Sequence, residues 1–204
     1  MGELTVTSFV TLDGVMQAPG APKEDTSGGF AWGGWVFPLA DADMGATMVG
    51  IFDKAGAFLL GRGTYDIFAA HWPRVTDPDD PVASKLNALP KHVATRGTKT
   101  LSWANARAVH DVVAAVPRLK AETDGELQVH GSPGLIQTLL AEDLVDELRT
   151  IVFPVTIGHG KRLFGAGAKP ASFELVSSNA TSKGAIVAVH RRAGPLKTGS
   201  FALD

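Results

Sequence analysis

The sequence predicts an α/β protein built on a central mixed, mostly parallel sheet flanked by helices. Two observations carry this. Short apolar, β-branched runs alternate with stretches of helical periodicity over most of the chain, and several of these runs end in glycine-containing turns that open directly into helices. The last part of the chain is instead strand-rich, which makes the sheet mixed.

The elements follow in order. Leu4 to Val10 alternates as a strand and runs into the turn Thr11-Leu12-Asp13-Gly14. Residues 15 to 37 carry Pro19, Pro22, a cluster of glycines and the aromatics Phe30, Trp32, Trp35 and Phe37. A long loop with that many apolar rings reads as a lid rather than a linker. Pro38 to about Ala55 has Met44, Met48, Ile51 and Phe52 at helical spacing. Ala57 to Leu60 is a buried strand followed by a helix to about Ala70, Pro81 to Leu89 is a short helix, and His92 to Thr95 is a strand. Asp111 caps a helix towards Lys120 that Pro117 should kink or shorten. Leu127 to His130 is a strand, and Leu135 to Glu142 a helix with Ser132 as N-cap and Pro133 at its first position. Leu148 to Phe153, Ser172 to Ser177 and Ala185 to Arg191 complete the strands. With no repeat and no linker, residues 1–204 read as a single domain.

Composition excludes several classes of function. The 204 residues are 45% hydrophobic and 20% charged, as in ordinary globular proteins. The absence of cysteine rules out disulfides, thiolate metal sites and a cysteine nucleophile, and it suits a reducing cytosol, so a cytoplasmic location is expected. A net charge of −2 offers no footprint for nucleic acid. Met1 to Val6 has no basic n-region, and apolar runs stay far short of the roughly 20 residues that span a bilayer, so neither a signal peptide nor a membrane partner is expected.

Three strand ends carry the same device: Gly61-Arg62-Gly63-Thr64, Thr95-Arg96-Gly97 and Gly131-Ser132-Pro133-Gly134. Ligands of open α/β sheets gather at the carboxyl ends of strands. Helix starts offer unpaired N–H groups to anions, and glycine lets the backbone approach. Two such starts with Arg62 and Arg96 nearby suit a dinucleotide that carries a pyrophosphate and a 2′-phosphate. On spacing alone, tight strand-to-helix turns explain the glycines equally well.

The segments Thr11-Leu12-Asp13-Gly14, Leu59 to Tyr65 and Leu127 to Ser132, with Leu144-Val145-Asp146-Glu147-Leu148, Phe153-Pro154-Val155 and Gly158 to Phe164, resemble the dihydrofolate-reductase superfamily. The closer branch is the reductase half of the bifunctional riboflavin-biosynthesis deaminase-reductase. The resemblance implies a dihydrofolate-reductase-like three-layer fold and a homodimer. It also implies a hydride transferred from NADPH to a small pyrimidine- or pterin-like heterocycle or a carbonyl, as in 5-amino-6-(5-phosphoribosylamino)uracil reductase. Arg62 to Thr64 then resembles the turn that holds the 2′-phosphate and pyrophosphate, Thr95-Arg96 the adenosine-side contact, and Gly131 to Leu135, with Ser132 and Gly134, the second phosphate-binding helix start. The chain has no deaminase half, and its Trp/Gly-rich insertion departs from dihydrofolate reductases proper.

Candidate catalytic residues are Asp13, at the end of the first strand, and Asp41, near the acidic position that the resemblance places on the first helix, with Asp43 beside it. A positioned acid contributes about 10²–10⁴-fold; a turn aspartate and an acidic first helical turn are the plain alternatives. Trp32, Trp35 and Phe37 are candidates to stack on a flat substrate, or else pin the lid. Lys161 and Arg162 are candidates for a substrate phosphate, or else a solvated pair. Two rivals to a reductase are a non-catalytic NADPH-binding sensor or scaffold and a serine hydrolase using Ser132. The latter fits poorly, because a nucleophile elbow needs glycine at 130, where His130 stands. The six histidines show no ligand spacing, so no metal is expected.

Overall fold

The computed structural model describes residues 2–165 and 168–202; Met1, part of the N-terminal reading above, lies outside them. The strands are β1 (Leu4–Thr11), β2 (Ala55–Gly61), β3 (Lys91–Ala94), β4 (Ala106–Val109), β5 (Glu126–His130), β6 (Glu147–Phe153), β7 (Ser172–Ala180) and β8 (Ile186–Gly194). The helices are α1 (Ala42–Asp53), α2 (Arg62–His71), α3 (Pro81–Ala88), α4 (Val112–Glu122) and α5 (Pro133–Ala141). All strands join one sheet in the order β4-β3-β2-β5-β1-β6-β8-β7. The first six are parallel, and β8 and β7 are antiparallel at one edge. This is the mixed, mostly parallel α/β architecture that the sequence predicts.

Side-chain alternation along the strands builds three layers. Ala57 and Leu59 of β2, with Leu4 and Val6 of β1, pack against Val116 and Leu119 of α4 and Ile136 and Leu139 of α5. Phe58 and Leu60 point the other way, to Phe52 of α1, Tyr65 of α2 and Leu86 of α3. Ile151 and Phe153 of β6 continue that second layer with Val36 and Val187. No helix among the described residues is long and apolar enough to cross a membrane.

The differences from expectation are local. Pro38 sits in a short 3-10 turn, and α1 starts at Ala42 because the Asp41 carboxylate accepts the Met44 N–H at 2.8 Å. Asp111 caps α4 as expected, through the Ala114 N–H, but the helix runs on through Pro117 to Glu122. Strand β4, Ala-Arg-Ala-Val, has no apolar run and is not legible in the sequence. Ser132 occupies the N-cap of α5, yet its side chain makes no cap bond.

Candidate functional site

A cleft of about 1280 Å³ lies across the carboxyl ends of β2, β3, β4 and β5, where the starts of α2, α4 and α5 converge. It exceeds the roughly 300–1,000 Å³ of a site for a drug-sized ligand and suits an extended one. Gly61, Arg62, Gly63, Thr64, Thr95, Arg96, Ser132, Gly134 and Leu135 all line it. Gly131 backs the wall at φ 55°, where an added Cβ would come within 3.2 Å of Thr64 Oγ1. The residues predicted for cofactor binding are thus brought together. Sequence reasoning missed His110 to Val113 and Lys99, which line the same cleft. They arrive there because β4 pairs in parallel with β3, and His110 Nδ1 lies 2.9 Å from Thr95 O.

The polar groups of the two glycine turns can be accounted for one by one. Gly61 N–H donates to Ser132 Oγ and Ser132 N–H donates to Thr64 Oγ1, each at 2.9 Å. Ser132 Oγ in turn donates to the His130 carbonyl at 3.1 Å. Pro133 has no N–H. The first-turn amides that stay available for a ligand are those of Gly63 and Thr64 on α2 and of Gly134 and Leu135 on α5, since a helix start has no internal acceptors for them. Ser132 is buried, and its hydroxyl is committed to backbone groups rather than to a base, so it is not placed as a nucleophile.

The charges that line the cleft divide in the same way. Arg62 Nε contacts both carboxylate oxygens of Asp66 at 2.9 and 3.0 Å, and its Nη1 donates to the Lys99 carbonyl at 3.1 Å. Lys161 pairs with Asp25 at 2.5 Å. Asp111 is spent on its cap, and Glu24 accepts the Gly20 and Ala21 N–H groups. Arg96 and Lys99 are in no ion pair among the described residues. Two available helix starts and two uncommitted cations fit a dinucleotide with a pyrophosphate and a further phosphate.

The segment 15–37 is folded onto the body of the protein. Gln17, almost fully buried, donates to the carbonyls of Asp25 and Ser27 at 3.0 Å and accepts the Lys161 N–H. Asp25 and Ser27 thereby form one side of the cleft. The predicted aromatic contacts do not converge there. Trp35 donates to the Gln17 carbonyl at 2.9 Å and packs edge-on against Phe153, so it pins the segment. Trp32 and Phe37 are 60% and 80% exposed and line no cleft with the phosphate turns.

The two candidate acids are also committed elsewhere. The Asp13 carboxylate accepts Thr11 Oγ1 at 2.6 Å and the Gly158 and Ile157 N–H groups at 2.8 and 3.1 Å. The Thr11 hydroxyl, then the Gly158 amide, draw its pKa down to about 2. A group ionised over the whole ordinary pH range clamps two loops and is a poor proton donor. Arg162 reinforces this clamp through the Asp13 and Gly158 carbonyls. Asp41 caps α1 with one oxygen and accepts the Lys183 N–H with the other; Asp43 accepts the Ser182 N–H at 2.8 Å. Neither lines the cleft, so Asp41 acts in this structure as the cap and hairpin anchor of the plainer reading.

A largely buried polar row on β5 and β6 was not among the sequence expectations. Glu126, Gln128 and His130 alternate on β5, and Glu147 and Arg149 alternate on β6. Gln128 Oε1 accepts from His130 Nε2 at 3.0 Å, and His130 stacks on Phe52 at 4.5 Å. Burial first, and then the Arg149 charge, push His130 down to about 3, so it stays neutral. The polar period of two in each strand is a signal that was available in the sequence.

Comparison with known proteins follows the same lines. The profile of the family described as RibD C-terminal domain matches residues 3–187. The uncharacterized protein YyaP of Bacillus subtilis (strain 168) is 26% identical over 183 residues, which are 89% of this chain and 90% of that protein. A putative riboflavin biosynthesis protein from Shewanella sp. PV-4 superposes with a TM-score of 0.69 at 22% identity, over 95% of this chain and 99% of the other. A pyrimidine reductase-like protein from Corynebacterium diphtheriae gives 0.59 at 14% identity, over 94% and 92% of the two chains. The diaminohydroxyphosphoribosylaminopyrimidine deaminase/5-amino-6-(5-phosphoribosylamino)uracil reductase of Thermotoga maritima gives 0.62 at 15% identity; the match takes in 94% of this chain but only 57% of that one.

Proposed function

The chain belongs to the RibD C-terminal domain family, and from that premise we propose that it is an NADPH-dependent reductase acting on a small pyrimidine- or pterin-like heterocycle or a carbonyl compound. The observation that carries this reading is the cleft itself, with available amides at the starts of α2 and α5 beside the uncommitted Arg96 and Lys99. In this reading NADPH lies across the carboxyl ends of β2 to β5. Gly63, Thr64, Gly134 and Leu135 hold its pyrophosphate through backbone N–H groups. Arg96, Lys99 and Thr95, with Arg62 once it turns from Asp66, hold its 2′-phosphate. Bound there, the cofactor supplies the hydride, and the protein supplies position and exclusion of water. Asp25, Ser27 and Lys161 line one side of the cleft in which it would lie.

The test is loss of NADPH absorbance with a panel of pyrimidine, pterin and carbonyl acceptors. Turnover with any of them supports the reading. Binding without turnover favours the second reading, a non-catalytic NADPH-binding module, to which the committed carboxylates of Asp13 and Asp41 lend support. A homodimer belongs to the same proposal. β7 forms one edge of the sheet and leaves Leu175 and Val176 about half exposed, and a second copy of the chain would cover them.

A further inference from the structure

Ser132 is a non-glycine residue with left-handed backbone, at φ 61° and ψ 53°, directly after Gly131 at φ 55°. Glycine would hold that geometry without strain. A serine before a helix is ordinarily explained by capping, and no cap bond is made here. Its side chain instead crosses to the neighbouring turn and accepts the Gly61 N–H, while Thr64 from that turn accepts the Ser132 N–H. The contact is close: a Cβ added to Gly61 would lie 3.3 Å from both Cβ and Oγ of Ser132. Each turn therefore holds the other through one hydroxyl, and a strained residue is what closes the pair.

We propose that Ser132 and Thr64 are positioning residues that form a strut, setting the spacing between the starts of α2 and α5 so that one pyrophosphate is gripped by both. This rests on the dinucleotide reading above, and it concerns the bonds by which each hydroxyl holds the other turn. The two act as one unit. The strut matters only to a ligand that bridges both helix starts. NADPH does so. The fragment 2′,5′-adenosine diphosphate, confined to the α2 start and the Arg96–Lys99 end, does not.

The test is calorimetric titration of NADPH and of 2′,5′-adenosine diphosphate into the full chain and into Ser132→Ala, Thr64→Val, Thr64→Ser and the Ser132→Ala/Thr64→Val double variant, each checked by thermal melting. Ser132→Ala and Thr64→Val should each weaken NADPH roughly tenfold, the worth of one or two hydrogen bonds. The double variant should be no worse than about twofold beyond either single one, as expected of groups that act together. Thr64→Ser should restore affinity, and the fragment should bind every variant alike. If Ser132→Ala fails to fold, Ser132→Gly, which relieves the backbone strain and still lacks the hydroxyl, gives the same comparison. Unchanged NADPH affinity in the variants, equal loss for both ligands, or no rescue by Thr64→Ser would overturn the strut alone. A wild-type protein that does not bind NADPH would overturn the dinucleotide reading, and the strut with it.

Discussion

Arg149 of β6 reaches across β1 to grip Glu126 of β5 with two parallel bonds, Nη1 to Oε2 at 2.8 Å and Nη2 to Oε1 at 2.6 Å. Its Nε donates to Glu147 at 2.7 Å, and all three side chains are largely buried. A buried group of this kind adds little net stability over apolar packing, but losing one member leaves uncompensated charge. Arg149→Met should therefore lower stability by about 3–5 kcal/mol in urea unfolding. A change within error would mean that water already screens these carboxylates.

His130 predicts the acid limb of the stability curve. Its folded pKa, about 3, lies below the ordinary 6.5, so the unfolded chain binds the extra proton between these values. The stability it contributes is complete above about pH 6.5 and falls as the pH drops towards 3, by up to about 1.4 kcal/mol per pH unit. Urea midpoints measured from pH 7 to pH 4 should fall less steeply in His130→Leu than in the wild type. Parallel curves would show that His130 is not the residue that titrates.

Lys91 acts on the alkaline side. It is fully buried, and its Nζ donates to the carbonyls of Leu86, Asn87 and Leu89 at the end of α3 and lies 4.5 Å from the Trp103 ring centre. Burial lowers its pKa from 10.5 to about 8, so the unfolded chain holds the proton longer and stability rises as pH climbs through that interval. Lys91→Met should cost about 1–3 kcal/mol at neutral pH, because it strips a donor from buried carbonyls, and should abolish the rise. Chemical unfolding of both proteins at pH 7.5 and pH 10 checks both effects.

Asp13 separates clamping from proton donation. Asp13→Asn keeps an oxygen acceptor for one of the two amides, which bond to different carboxylate oxygens, and turnover with any accepted substrate should fall by less than about tenfold. A loss of about 10²–10⁴-fold, accompanied by a changed pH–rate profile, would instead make Asp13 the general acid.

The legible parts of the site are those whose geometry is local. Gly61 to Thr64 and Gly131 to Leu135 are strand-to-helix turns, and their chemistry follows from a helix start wherever the chain later places it. The parts that were not legible depend on distant partners. Asp13 is committed by amides 144 and 145 residues away and Asp41 by one 142 residues away, so both carboxylates look available in the sequence. β4 escaped notice because Ala-Arg-Ala-Val has little β propensity and takes its form from pairing with β3, and with it went the start of α4 as a wall of the cleft. Ser132 reads as a helix cap by type, but its left-handed backbone turns the hydroxyl to Gly61. Trp35 reads equally as a ring to stack on a flat substrate or as a pin for the lid, and the choice between them depends on Gln17 and Phe153.

Calorimetric titration of NADPH and NADH into the folded protein shows whether this cleft grips a phosphorylated dinucleotide. Saturable binding of NADPH is expected, tighter than that of NADH, with the gap narrowed in Arg96→Ala and Arg62→Ala because each removes a cation from the 2′-phosphate end. Equal affinity for the two cofactors would remove the 2′-phosphate assignment, and no heat with NADPH in a well-folded sample would contradict the reductase proposal outright.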